Sequence, residues 1–262
     1  VGRRGVRLLG LTVGRNEEYR YLKPMLSYMS GVLDEHFFYN DQSTDDTGLI
    51  AIDAGCRTST RPDSVPRFME DEGAFRAAAW AEFELVMRPG PGDWVLVIDC
   101  DEVIVATEVV DLDEYDEILA LRTKAWVYYV ARETSSPVDL NIPEVWGISE
   151  GCPFVRVDRL WGAIHAPRLF PYKPGGTFFP GKFGVPAVPQ HVQRGPWANT
   201  NKLALMHYGY ADPRDQSKKY DRYSGQQGHS NQHVESIVAK TGKEFAWWTG
   251  PYVKAMKQLV SL

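Results

Sequence analysis

Gly92–Glu102 reads GDWVLVIDCDE, and the rest of the chain is organised around it. Trp94 to Ile98 is an unbroken apolar run, after which the polarity switches to Asp99, Asp101 and Glu102. A short run without alternation suits a strand buried on both faces, the usual state inside a parallel sheet. Where such a strand ends the chain leaves the core, and open α/β sheets take their ligands just outside those carboxyl ends. Asp99 and Asp101, two positions apart, can turn oxygens toward one divalent cation, and hard cations prefer oxygen ligands. Three neighbouring acids also repel one another unless a cation or a proton compensates them. A solvated acidic turn satisfies the same short pattern, so its meaning depends on what surrounds it.

Upstream, the elements alternate. Val6–Val13 reads as a strand that ends in the polar turn Gly14-Arg15-Asn16-Glu17-Glu18. The helix that follows carries Leu22, Met25, Leu26 and Met29 on one stripe, with Pro24 confined to its first turn and Gly31 as a stop. His36–Asn40 is a second strand, running into Asp41-Gln42-Ser43-Thr44-Asp45-Asp46-Thr47. Ser43 and Asp46 have capping-box spacing, which accounts for much of this acidity but not for Asp41, placed before the cap. A short helix to about Ala54, a strand at Cys56–Thr60 and a helix between Glu70 and Met87 come next, the last ended by Arg88–Gly92. Four strands thus alternate with three helices before Asp99, which implies a parallel sheet with right-handed crossovers.

Beyond the acidic turn, Asp111 opens a helix and Ala125–Val130 (AWVYYV) reads as a strand. From Ala131 to about Asn201 the pattern is irregular and rich in Pro, Gly and aromatic residues, with short strands at Phe154–Val157, Arg168–Phe170 and Gly176–Phe179. Such a stretch suits a functional wall or lid. Lys202–Met206 is a further strand with His207 at its end. Asp212 caps a helix on which Arg214, Lys218 and Arg222 form a basic stripe, and Pro251–Val260 is amphipathic. No repeat or linker divides the chain, so one domain over 1–262 is expected.

Composition narrows the function classes. A net charge of −5 argues against a nonspecific nucleic-acid binder, which would carry a basic face. No run approaches the ~18 apolar residues of a membrane span, and VGRRGVRLLG lacks the apolar core of a signal peptide. Cys56, Cys100 and Cys152 are widely spaced with no C-x-x-C, which points to reduced thiols and a cytoplasmic location.

Together these landmarks resemble the family 2 nucleotide-sugar glycosyltransferases, which have the GT-A fold. The resemblance is carried by R-N-E-E after the first strand, D-x-S-T-D-D-T after the second and G-D-W-V-L-V-I-D-x-D-E at the fourth, in that order. The D-x-D-E turn, Pro167–Phe170 (PRLF) and His207–Tyr210 (HYGY) are similar to the lipopolysaccharide-core glucosyltransferase-like subset. The resemblance implies an α/β, GT-A fold: a Rossmann-like, mostly parallel central sheet flanked by helices, with an irregular acceptor-side region. Residues 1–105 would bind the nucleotide-sugar and 106–262 the acceptor.

It also implies roles. Asp41 would hydrogen-bond the nucleobase, and Gly14, Arg15, Asn16 and Glu17 would line the base pocket. Asp99 would lie by the ribose and metal, Asp101 would bind Mn²⁺ or Mg²⁺ bridging the diphosphate, and His207 would be a further ligand. Arg214, Lys218 and Arg222 would hold the leaving diphosphate. Arg76 is another phosphate contact on this reading and a surface ion pair on the plainer one. The family often places a catalytic carboxylate after the acidic turn, but Gly181–Arg194 offers Gln190-His191 and no acid. Candidates for the base are therefore His191, Asp158, Glu150 and Glu144, and a retaining transfer stays open. The expected activity is metal-dependent transfer of a hexose from a UDP-sugar or similar donor to an acceptor hydroxyl. Two alternatives accompany it: a non-catalytic nucleotide-sugar-binding module, and a nucleotidyl- or phosphotransferase using the same D-x-D metal site. The latter needs a basic phosphate loop, whereas R-N-E-E carries one positive charge against two negative ones.

Overall fold

A computed structural model describes residues 6–107, 116–145, 160–182, 184–209 and 211–212. Four strands, β1 (Leu8–Gly14), β2 (Glu35–Asn40), β3 (Arg57–Thr60) and β4 (Trp94–Val97), pair in parallel in the order β3-β2-β1-β4. Between them run α1 (Leu22–Val32), α2 (Thr47–Asp53) and α3 (Glu72–Met87). Alternating side chains of one strand point to opposite faces of the sheet. Leu8 and Leu96 accordingly pack with Leu22, Met25 and Met29 of α1, whereas Leu9, Leu11, Val95 and Val97 pack with Phe75, Trp80 and Phe83 of α3. No residue of β4 is more than 5% exposed, so the apolar run is covered on both sides.

The helix ends follow local chemistry. Pro24 is the third residue of α1, where its missing N–H has no intrahelical partner to lose. Asp71 caps α3, its carboxylate accepting from Ala74 N at 3.0 Å, and Arg88 closes it with φ +47°. The start of α2 departs from the capping-box expectation. That helix begins at Thr47, whose N–H donates to Asp45 Oδ1 (3.1 Å), while the Ser43 hydroxyl accepts instead from Asn16 N in the neighbouring loop.

The second half adds β5 (Glu102–Ala106), α4 (Asp116–Glu133), β6 (Val138–Val145), β7 (Leu160–Pro171), α5 (Gln190–Gln193) and β8 (Ala198–His207). The complete sheet has eight strands in the order β3-β2-β1-β4-β7-β6-β8-β5. β7 runs antiparallel to β4 and β6, and β8 lies between β6 (parallel) and β5 (antiparallel). The architecture is the expected α/β one, a parallel Rossmann-like core flanked by helices, extended on one side by a mixed block in which three of the four pairings are antiparallel.

Three local expectations are corrected. Ala125–Val130 is not a strand but part of α4; Ala120, Thr123, Val127 and Val130 are buried at helical spacing, and that period overrides the β propensity of the aromatic run. The region from 131 to 201 is not irregular throughout, because β6 and β7 are long strands inside the sheet. Gly176–Phe179 forms no strand; a Cβ on Gly176 would lie 2.7 Å from Trp80 Nε1, so this segment is a loop laid against α3. β5 itself was not expected. The helix start at Asp111, the strand Phe154–Val157, the basic stripe and the stretch Pro251–Val260 lie outside the described residues. No described helix is long and apolar enough to cross a membrane, and Cys56 and Cys100 are free thiols.

Candidate functional site

A cleft of about 590 Å³ opens at the carboxyl ends of β1, β2 and β4. Gly14, Arg15, Glu17, Asp41, Asp99, Asp101 and His207, seven of the residues singled out from sequence, line it together. Gly14 ends β1 where nothing larger fits, since a Cβ there would meet Cys100 Sγ at 2.6 Å and the Phe38 ring at 2.8 Å. The loops after β1 and β2 are fastened to each other. Thr44 N donates to Asn16 Oδ1 (2.9 Å), and Glu17 N donates to Thr47 Oγ1 (2.6 Å). Asn16, with φ +55°, is thus a tie between the loops and does not line the cleft.

Asp41 is 3% exposed, and a carboxylate so buried needs partners. Arg61 Nε donates to its Oδ1, and Phe68 N reaches Oδ2 at 3.4 Å. Beside it Phe68, Met69 and Phe75 make an apolar wall, with the two phenyl rings edge-on at 5.5 Å. Sequence reasoning missed Phe68 and Met69; their signal is an aromatic–methionine pair in an otherwise charged loop. Arg76 backs this wall from outside the cleft, 2.8 Å from Glu72 Oε1 and with its guanidinium 5.1 Å from the Phe68 ring centre. Arg76 is thus in an ion pair, but a buried one and not the surface pair that was the plainer expectation.

At the other end the acidic turn is closed tightly. Asp99 N donates to Glu102 Oε2 (2.8 Å), and Glu102 N donates to Asp99 O (3.1 Å). Arg168, inside β7, lies 3.5 Å from Asp99 Oδ2 and 3.2 Å from Glu102 Oε1. Burial pushes Glu102 up to about 7, Arg168 pulling the other way and Asp99 adding to the rise. Burial alone would lower the Arg168 pKa, but Glu102 and Asp99 outweigh it and raise it. Burial, followed by the charges of Glu17, Asp101 and Asp99, pushes the Cys100 thiol well up, so a neutral sulfur faces the cleft.

His207 is paired across the sheet with Glu144 of β6 and Glu102 of β5. Its Nδ1 lies 2.7 Å from Glu144 Oε2 and its Nε2 lies 3.6 Å from Asp101 Oδ1. Arg20, also lining the cleft, has Nη1 on both oxygens of Glu17 (2.8 and 2.7 Å) and Nη2 3.7 Å from Asp101 Oδ2. Arg20, Arg168 and the Glu144 contact are the polar features of the site that sequence reasoning did not assign.

The donor set can be weighed against a divalent cation. Among the described residues there is no cluster of three or more His, Cys, Asp or Glu side chains poised on one point. Asp101 and His207 nonetheless face each other at a separation that two ligands with bonds of about 2.0–2.2 Å can share. Ions such as Mg²⁺ take only one or two carboxylates from the protein and complete their shell with water and substrate phosphates. An imidazole whose other nitrogen faces a carboxylate is the usual arrangement of a metal-bound histidine. Five carboxylates (Glu17, Asp99, Asp101, Glu102 and Glu144) surround two guanidiniums and this imidazole, which leaves an acidic excess. The residues present fit a cation held by Asp101 and His207.

Of the candidate bases, His191 sits on α5 and does not line the cleft; burial, then Lys173, lowers its pKa. Glu144 is engaged with His207. Asp158, Glu150, Arg214, Lys218 and Arg222 lie outside the described residues.

No family model and no curated protein matches the chain. Among solved structures, glucosyl-3-phosphoglycerate synthase from Mycobacterium tuberculosis with Mn²⁺, uridine diphosphate and glucosyl-3-phosphoglycerate is similar, at 21% identity over 54% of this chain and 44% of that one (TM-score 0.34). The same synthase with Mn²⁺, UDP-glucose and phosphoglyceric acid matches at 20% identity with the same coverage and TM-score. A structure described only as a mycobacterial protein matches at 17% identity over 54% of this chain and 41% of that one, again at TM-score 0.34. The match spans less than half the length of each of these chains. A likeness of this degree bears on neither substrate nor residue roles, which rest on the cleft itself.

Proposed function

We propose that the protein is a metal-dependent glycosyltransferase that moves a sugar, a hexose from a UDP-sugar, to an acceptor hydroxyl. One observation carries the reading: Asp99 and Asp101, in the turn between β4 and β5, and His207, more than a hundred residues later at the end of β8, meet in the same cleft as the Gly14–Glu17 turn and Asp41. In this reading Asp41 and the Phe68 wall receive the nucleobase, with the buried Arg61 pair holding the carboxylate in place. Asp99 lies by the ribose. Asp101 and His207 hold Mn²⁺ or Mg²⁺, which supplies Lewis acidity and neutralises the departing diphosphate. Arg168 keeps Asp99 and Glu102 from repelling each other and so holds the turn in shape.

A thermal-shift panel of nucleotide-sugars, each with and without Mn²⁺, tests this. A ligand that binds only the folded state raises the melting temperature by mass action, and the expected pattern is a rise with donor and Mn²⁺ together that exceeds the rise with either alone. A flat panel would reject the proposal.

A second reading, a nucleotide-sugar-binding module without transfer, is favoured by a separate observation. The acids lining the cleft are each within ion-pair distance of a cation: Glu17 of Arg20, Asp41 of Arg61, Asp99 of Arg168 and Asp101 of Arg20. Among the described residues that line the cleft, no carboxylate is without a cation beside it. Mn²⁺-dependent hydrolysis of the bound donor would separate the two, since a module binds without turnover.

A further inference from the structure

We infer that Arg20 binds the donor's diphosphate, and that before the metal arrives it serves as the counter-ion of Asp101. The inference rests on the transferase reading above. Arg20 lies in the turn between β1 and α1 and lines the cleft. Its Nη1 donates to both carboxylate oxygens of Glu17, whose own backbone is fixed by the 2.6 Å bond from its N–H to Thr47 Oγ1. With one end of the guanidinium so held, Nη2 stands 3.7 Å from Asp101 Oδ2, while Oδ1 of the same carboxylate faces His207.

A divalent ion on Asp101 and His207 puts a second positive charge beside Asp101 and repels the guanidinium. Phosphate oxygens bound beside such an ion would lie on the side of the cleft where Arg20 stands, and Arg20 would then have them as partners in place of Asp101. Glu17 keeps Arg20 from swinging out to solvent, so a small pivot exchanges one anionic partner for another. A guanidinium fork suits phosphate oxygens, and such charge-assisted bonds are stronger than neutral ones. The Glu17 side chain then works through Arg20 and makes no contact of its own with the nucleobase.

Titration calorimetry on Arg20→Met, with Mn²⁺ alone and with UDP in saturating Mn²⁺, tests the inference. Mn²⁺ alone is expected to bind about threefold tighter, because its competitor on Asp101 is gone. UDP is expected to bind roughly tenfold weaker, from one lost charge-assisted contact. Opposite signs are the diagnostic, since a purely structural role weakens both together. Arg20→Lys keeps the charge and loses the fork, so it should leave Mn²⁺ affinity unchanged and lower UDP affinity. That pair of results supports the inference even if Arg20→Met fails to fold by circular dichroism. If both affinities stay unchanged, or both fall, in whichever variant folds, the Arg20 assignment is overturned while the transferase reading stands. If the unaltered protein binds none of UDP, ADP, GDP or CDP with Mn²⁺, both fall.

Discussion

In the parallel half of the sheet β1, β2 and β4 are mainly apolar where they cross the core, and the charges of the site come from the loops beyond the strands: Glu17, Arg20, Asp41, Asp99 and Asp101. In the antiparallel half the charges sit inside the strands, Glu102 in β5, Glu144 in β6, Arg168 in β7 and His207 in β8. A loop charge is aimed by hydrogen bonds to neighbouring loops, whether it is buried like Asp41 or partly exposed like Asp99. A strand charge is aimed by register, loses its water on burial, and is tolerable only with a partner of opposite sign. The two halves of the cleft therefore differ in kind. One supplies adaptable recognition groups, and the other a fixed electrostatic frame.

That contrast can be tested from its strongest point downward. Asp101→Ala removes the group on which both halves converge, and it should lower Mn²⁺-dependent UDP affinity by at least a hundredfold while the melting temperature moves little; calorimetry beside a thermal melt checks both. Next comes acid, which probes the parallel half. His36 is buried between β1 and β2 with Thr12 Oγ1 2.9 Å from its Nε2, and burial lowers its pKa to about 4. The folded protein holds this imidazole neutral while the unfolded chain protonates it near pH 6.5. The stability it contributes is therefore complete above that value and is lost as the pH falls toward 4, by about 3 kcal/mol. Urea melts of the protein and of His36→Asn at pH 7 and pH 4 should show the gap between them shrinking by that amount; a constant gap removes the imidazole as the cause.

Glu144→Gln probes the antiparallel frame. It should weaken Mn²⁺ binding roughly tenfold by releasing the His207 ring, with little change in folding. Equal Mn²⁺ affinity in the variant would make Glu144 a bystander. Smallest is Asp71→Ala, which removes a cap from α3 in the parallel half and should cost about 1 kcal/mol in a urea melt without affecting Mn²⁺.

The same contrast explains what the chain disclosed before its structure was known. β1 to β4 and α1 to α3 were legible because each is a clean apolar run or stripe bounded by turn residues, and their site groups sit at the boundaries. β6 was not legible. Asn141 and Glu144 are buried inside it, Pro143 interrupts it, and it departs from regular pairing on both sides, so neither alternation nor an apolar run survives. Arg168 was legible as the start of a short strand and as part of PRLF, but nothing local announces that β7 carries it to Asp99 and Glu102. His207 was found from its place at a strand end, but its two glutamate neighbours belong to strands that the pattern did not reveal. Pairwise geometry between distant strands is a property of the ladder and leaves no periodic trace in any one segment.

The irregular pairing of β8 has a consequence for how this chain can vary. Asp139 lies opposite Asn199, yet Asn141 lies opposite Ala204, so β8 carries surplus residues between those two pairs. From Leu203 to His207, five consecutive pairs with β5 pin the strand. An insertion or deletion among residues 200–202 would thus be taken up by this slack, and the imidazole would stay opposite Glu144 and Glu102. The start of β8 is therefore free to change length without dragging His207 along.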